Sequence, residues 1–374
     1  MGDWTCVACT NDVHCGGGRR CETMRNECVQ CVTSDDCGGR TPVCEGNVCR
    51  GCRGHGECAG GLCALDGSCP AVGQVVWVDG DAAGCASDGT VSGAGTRARP
   101  YCEIAVALMN LGSRQYVAVR DSARAYGRFS WTTMSGSVEI HGVEAGGSVP
   151  AVLEVGSANS VECRDGVLTM VGVNVQGRNP GSGHGVEARN CTLRLESATV
   201  SGAGGAGVSA SGGSVTMRRV RVLGNESGVV LSGSVRYEIE NSIIARNGTL
   251  GSSGAVGGVS LSAMATGRFV NNTVVSNQGL TVGGVLCGGG QAVVNSLLWG
   301  NGAMSAGSEQ SGCMLRSSRV GECALGGMDG YHLTSGSTGC IGAASAMDAP
   351  EEDIDGERRP CGGTYDIGAD EYCP

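Results

Sequence analysis

Between about Gly185 and Asn301, apolar and polar residues alternate within short runs bounded by glycine. One phrase recurs there: Gly185-Val186-Glu187-Ala188, Gly207-Val208-Ser209-Ala210, Gly228-Val229-Val230-Leu231, Gly258-Val259-Ser260-Leu261 and Gly284-Val285-Leu286-Cys287. A second phrase runs in parallel with it: Leu193-Arg194-Leu195-Glu196, Val215-Thr216-Met217-Arg218 and Tyr237-Glu238-Ile239-Glu240. Alternation with a period of two marks strands whose faces differ in polarity. Self-similarity every 21 to 30 residues marks stacked supersecondary units. Each repeat therefore reads as one coil of a right-handed parallel β-helix, and the fold class is all-β, a solenoid preceded by a small disulfide-rich repeat domain.

The chain divides into four parts on this reading. Residues 1–70 carry a cysteine array. Residues 71–115 supply an opening strand, Val75-Val76-Trp77-Val78, and a segment with helical spacing, Glu103 to Leu111, that ends at Gly112. A helix there would cover the open end of the first coil. Residues 116–312 hold the coils, including short strands at Tyr116–Val119, Ser137–Ile140, Ala151–Val155 and Leu168–Val171, and residues 313–374 close the helix.

Cysteine spacing sets the redox environment. Of 23 cysteines, 13 precede residue 70. They group as Cys9, Cys15, Cys21, Cys28, then Cys31, Cys37, Cys44, Cys49, then Cys52, Cys58, Cys63, Cys69. Units this small lack a core and need two disulfides each, in one of three connectivities. The Cys-x-x-Cys joints also match zinc-ligand spacing, but the interiors of the units do not. Cys6 reads as the unpaired last cysteine of an earlier unit. Farther on, Cys85 and Cys102, Cys163 and Cys191, and Cys313 and Cys323 are the expected pairs. Cys340, Cys361 and Cys373 crowd the closing segment, where two are expected to pair. Cys287 follows the inward valine of its coil by two residues and is expected to be a buried, reduced thiol.

This cysteine density implies an extracellular or cell-surface protein. Met1-Gly2-Asp3-Trp4 lacks the basic and apolar regions of a signal peptide, so the natural start is expected upstream of this chain. The chain has no lysine, which removes Schiff-base and lysine general-base chemistry, and its net charge of −10 argues against nucleic acid or an anionic membrane as partner. No apolar run approaches the length of a membrane span, so no insertion is expected.

Trp77-Val78-Asp79, Gly89-Thr90, Pro100 and Ile104-Ala105 resemble the opening motif of the pectin-lyase-like superfamily of right-handed parallel β-helices found on bacterial surfaces. Asp353-Ile354-Asp355-Gly356, Arg359-Pro360 and the run Tyr365 to Tyr372 resemble the closing motif of a secreted branch of that superfamily. The resemblance implies either a rigid, non-catalytic binding or spacer protein or a polysaccharide lyase or glycoside hydrolase.

Aligning the coils turns residues into physical columns, because parallel strands stack at about 4.8 Å. Asn225, Asn247, Asn277 and Asn301 form one column, and Asn241, Asn271 and Asn295 a second; both are expected to be hydrogen-bonding ladders. Glu196, Arg218 and Glu240 form an outward column of alternating charge, with Glu238 beside it, and these four are the candidate carbohydrate-binding residues. His184 lies in a Gly-His-Gly resembling a polygalacturonase motif, but it shares its column with Ala206, Ser227, Gly257 and Gly283. That family's other motifs are missing, so no catalytic residue is assigned. No cofactor is expected. Asp353, Asp355 and Glu357 are the one set that would suit calcium. The expected partner of this monomer is a polysaccharide or cell-envelope component.

Overall fold

The computed structural model describes residues 8–134, 136–143, 158–177, 181–249, 255–304 and 308–374, and for 151–153 the backbone alone. Three parallel sheets of eight, ten and eight strands wind into a β-solenoid over residues 116–320. The first sheet carries the glycine phrase. Its strands include Val161–Arg164, Val186–Arg189, Ala206–Ser211, Ser227–Ser232, Val259–Leu261 and Val285–Cys287. The second carries the charged phrase, with Thr192–Glu196, Ser214–Arg218, Arg236–Glu240 and Thr266–Val270 among its strands. The third holds Thr199–Ser201, Arg221–Leu223, Ile243–Ala245, Thr273–Val275 and Leu297–Trp299.

Register follows the repeats. Val186 lies opposite Val208, Val208 opposite Val229, Val229 opposite Val259, and Val259 opposite Val285. These valines are fully buried and line one continuous core with Leu193, Leu195, Val215, Met217 and Ile239. The recurring glycine has a steric reason. A Cβ on Gly228 or Gly258 would lie 2.4 Å from the carbonyl oxygen of the same glycine one coil on, so any side chain there would force the coils apart. At the start of the solenoid, Val75–Val78 pairs with Tyr116–Arg120, and the helix Ile104–Met109 buries Ile104, Ala107 and Leu108 against the core. Gly112, at φ +62°, ends the turn after it.

Eleven disulfides join the described cysteines, which places the chain in an oxidising compartment. Each array unit links its first cysteine to its third and its second to its fourth: Cys9–Cys21 and Cys15–Cys28, Cys31–Cys44 and Cys37–Cys49, Cys52–Cys63 and Cys58–Cys69. These bonds occupy the sulfurs that a zinc site would require. Cys85–Cys102, Cys163–Cys191 and Cys361–Cys373 are also bonded. Cys6 lies outside the described residues, as do Glu154 and Val155 of one expected strand.

Two expectations about cysteine are corrected. Cys287 is buried at 3% exposure in the column of Leu261, as the alignment requires. It is not a thiol, however, but bonds to Cys313. Cys323 bonds to Cys340 and not to Cys313. The reason is one more coil than the apolar phrases reveal. Gln310–Ser311, Met314–Arg316 and Arg319–Val320 extend all three sheets, so a boundary at residue 312 cuts through the last coil.

The segment that follows, residues 321–374, runs along the side of the solenoid. Tyr331, Leu333, Ile354, Ile367 and Ala369 pack on Ile243, Ala245, Val275 and Leu297, the outward face of the third sheet. The closing motif forms a polar knot beneath this cover. Arg359 and Glu371 are an ion pair with fully buried side chains. Arg359 also donates to the carbonyls of Gly368 (3.0 Å) and Ala369 (2.8 Å), while Glu371 accepts from Cys361 N–H and Asp366 N–H. These bonds offset much of the desolvation cost of the buried pair, although Arg359 Nε is buried without a hydrogen-bond partner among the described residues.

Candidate functional site

The second sheet presents two charged columns on its outer face. One stacks Glu196, Arg218 and Glu240; its neighbour stacks Arg194, Thr216, Glu238 and Arg268. Period-two alternation sends Leu195, Met217 and Ile239 inward and these side chains outward. All of these but Thr216 line a groove of about 470 Å3, to which Leu65 of the third cysteine unit and Pro350 to Glu352 of the closing segment also contribute.

Most charges in this groove are paired. Arg218 lies 3.0 Å from Glu238 and 3.4 Å from Glu240. Arg268 approaches Glu240 to 3.4 Å and Glu238 to 3.9 Å. Arg219 bridges Glu196 at 3.0 Å and Glu352 at 2.8 Å. Arg194 has no ion pair among the described residues, and its Nε is buried without a hydrogen-bond partner. The column faces outward, as the alignment requires, but its ends are buried. Glu196 is 5% exposed and Glu240 6%, in a groove that Pro350 to Glu352 of the closing segment help to line. Burial raises the pKa of both carboxyls; the arginines oppose this, and Glu238 adds to it at Glu240.

The first asparagine column is hydrogen-bonded throughout. Asn225 N–H and Nδ2 donate to Asn247 Oδ1 at 3.0 and 2.9 Å. Asn247 donates likewise to Asn277, and Asn277 to Asn301. Each Nδ2 also reaches a strand carbonyl, Val200, Val222, Ile244 or Val274. Glu309 accepts from Asn301 Nδ2 at 2.7 Å and terminates the ladder, a residue the column alignment missed. The second column differs from expectation. Asn241, Asn271 and Asn295 sit at φ +45°, +50° and +50°, the left-handed turn conformation that asparagine tolerates. Their amides reach out to carbonyls of the closing segment: Glu352, Asp366 and Ser345. Of these three, only Asn295 and Asn271 bond to each other, at 3.2 Å. The ladder at this corner runs one residue later, through Ser242, Asn272, Ser296 and Ser318.

His184 is a structural acceptor. Its Nδ1 takes the Ala206 N–H at 2.9 Å, and its own N–H donates to Asn159 Oδ1. Burial lowers its pKa. The calcium candidates do not converge. Asp353 spends Oδ1 on the N–H groups of Asp355 and Glu357, and Oδ2 on that of Glu371. Asp355 turns instead to His332 Nε2 at 2.6 Å and Arg221 at 3.1 Å. His332 Nδ1 meets Asp329 at 2.8 Å, and Asp370 lies close by. Burial, eased by the Leu333 N–H, pushes Asp370 up to about 7. Asp355 bonding, with Asp370 and Asp329 adding, raises His332 against its burial.

Residues 160–321 match the family model for a right handed beta helix region. No curated protein and no solved structure matches the chain significantly. Joined to the three-sheet geometry, the match establishes a right-handed β-helix protein with a disulfide-rich N-terminal region.

Proposed function

We propose that this is a secreted or cell-surface β-helix that binds a polysaccharide or cell-envelope polymer in the groove of the second sheet, without catalysis. The observation that carries the reading is the pairing of charges there. Glycosidase chemistry needs one carboxyl free to give a proton and another free to attack or to activate water. Glu196, Glu238 and Glu240 are each held by arginine instead. Fixed guanidinium–carboxylate pairs offer a hydroxyl-rich polymer an array of donors and acceptors, and Arg194 adds a guanidinium that makes no ion pair among the described residues. Rigidity favours such a role, because a preorganised face loses little entropy on binding.

The test is a panel of polygalacturonate, alginate and dextran, with and without calcium, read both for retention by the immobilised protein and for product. Retention that weakens in Arg194→Ala, with no unsaturated product and no new reducing ends, supports the proposal. Turnover of any polymer overturns it in favour of a lyase or hydrolase.

A further inference from the structure

A second cavity, of about 530 Å3, opens where the third cysteine unit meets the start of the solenoid. His55 and Gly61 line it from the array, and Trp77, Arg97, Arg120 and Val143 from the solenoid side. Its chemistry differs from that of the groove. Arg97 and Arg120 both approach the Trp77 ring, their Cζ atoms 5.1 and 5.2 Å from its centroid, and Trp77 is 4% exposed. Arg120 gives one guanidinium nitrogen to Asp79 at 3.1 Å. Arg97 has no ion pair among the described residues. No carboxylate lines the described wall, so a chain of net charge −10 holds here a pocket whose charged lining is basic.

Local structure keeps this pocket open. Gly61 adopts φ +70°, and a Cβ there would lie 3.0 Å from Trp77 Cζ2 and 3.5 Å from Arg97 Nη1. The array is fixed against the solenoid by Leu62, fully buried against Val75, Trp77 and Ala118. His55 Nδ1 accepts the Cys63 N–H at 3.0 Å, which fixes the orientation of its ring at the wall of the cavity. Stacking on an aromatic face holds a guanidinium in position while leaving its N–H fork available.

We infer that this junction is a binding site for a small organic anion of monosaccharide size, recognised through its carboxylate by Arg97 and Arg120. Arginine forks match carboxylates in a planar, charge-assisted geometry, and the cavity is within the size range of small-molecule sites. The inference is independent of the groove, which lies farther along the same sheet.

Isothermal calorimetry on the full chain, with galacturonate and galactose as probes, tests it. Galacturonate should bind at least about tenfold more tightly than galactose. Arg97→Ala and Arg97→Gln should each weaken galacturonate about tenfold or more, with the melting temperature unchanged, since Arg97 is exposed. Arg194→Ala, in the groove, should leave this binding unaltered. Equal affinity for the two sugars, absence of galacturonate binding, or full binding by both Arg97 variants would overturn the assignment.

Discussion

Replacing Asn247 with alanine isolates the contribution of the asparagine ladder. The Asn247 side chain is fully buried and makes four hydrogen bonds. Oδ1 accepts from Asn225 N–H and Nδ2; Nδ2 donates to Val222 O and Asn277 Oδ1, both at 2.9 Å. Alanine leaves the Asn225 N–H and one Asn225 amide hydrogen without partners, while the Val222 carbonyl keeps its place in the strand ladder with Ile243–Ala245. Asn277 Oδ1 keeps the Asn247 backbone N–H at 3.0 Å. An orphaned buried polar group costs about 1–3 kcal/mol. Two such groups, eased by rotation of the Asn225 side chain, give an expected loss of about 2–4 kcal/mol. Asn247→Asp refines the test. It keeps the acceptor but turns a carboxylate oxygen toward Val222 O, so its penalty should shrink as pH falls and the acid gains a proton to donate. Urea unfolding with the disulfides intact measures the loss, and hydrogen exchange at residues 222–228 and 244–249 locates it. A change below about 1 kcal/mol, the scale of one ordinary hydrogen bond, would refute the ladder as a stabilising element.

Non-reducing peptide mapping should recover a Cys287–Cys313 bridge, with no alkylation of native Cys287. Replacing both cysteines by alanine should cost up to about 3.5 kcal/mol, the loop-closure value for the sequence separation of 26; free thiols in the native protein would contradict the pairing. His184 has its pKa depressed on folding, so its stabilising contribution is complete above the unfolded value of about 6.5 and lost as pH falls through the lower folded value. His184→Ala should therefore flatten the acid side of a melting-temperature profile, and an unchanged profile would count against this. His332 and Asp370 both have raised pKa values, Asp370 to about 7, so their contribution is complete at low pH and lost as pH rises through those values. Limited proteolysis of residues 321–374 should accordingly be faster at pH 8 than at pH 6, a difference that Asp370→Asn should reduce. Arg359→Ala strips the partner from buried Glu371 and should cost about 3–5 kcal/mol, read as release of that segment to protease; resistance equal to wild type would refute it.

The solenoid was legible because its constraints are local and periodic. Valine after glycine, repeated at Val186, Val208, Val229, Val259 and Val285, fixes both strand and register, and the regular gaps from Asn225 to Asn301 expose the ladder. The last coil escaped because Gln310–Ser311 carries no apolar residue to continue the phrase. With that coil unseen, Cys287 had no visible partner, although Cys163–Cys191 already showed the rule: an inward cysteine bonds to one just before the next second-sheet strand. Column alignment assigned the outward direction of Glu196 and Glu240 but not their burial, because the closing-segment residues that share their groove lie over 100 positions away. The second asparagine column misled for a conformational reason. Alignment reports position along the stack, whereas the left-handed φ of Asn241 and Asn271 decides which way the side chain leaves it.

The placement of residues 321–374 bears on how this protein comes apart. A solenoid whose coils touch only their neighbours unravels from its ends, one coil at a time. Here, residues of four successive coils are tied to a single strip of chain: Arg221 to Asp329 and Asp355, Asn241 to Glu352, Asn271 to Asp366, and Asn295 to Ser345. None of those coils can peel away without breaking contacts that also hold the others. The strip acts as a splint, giving the second half of the rod all-or-none behaviour that its repeats alone would lack.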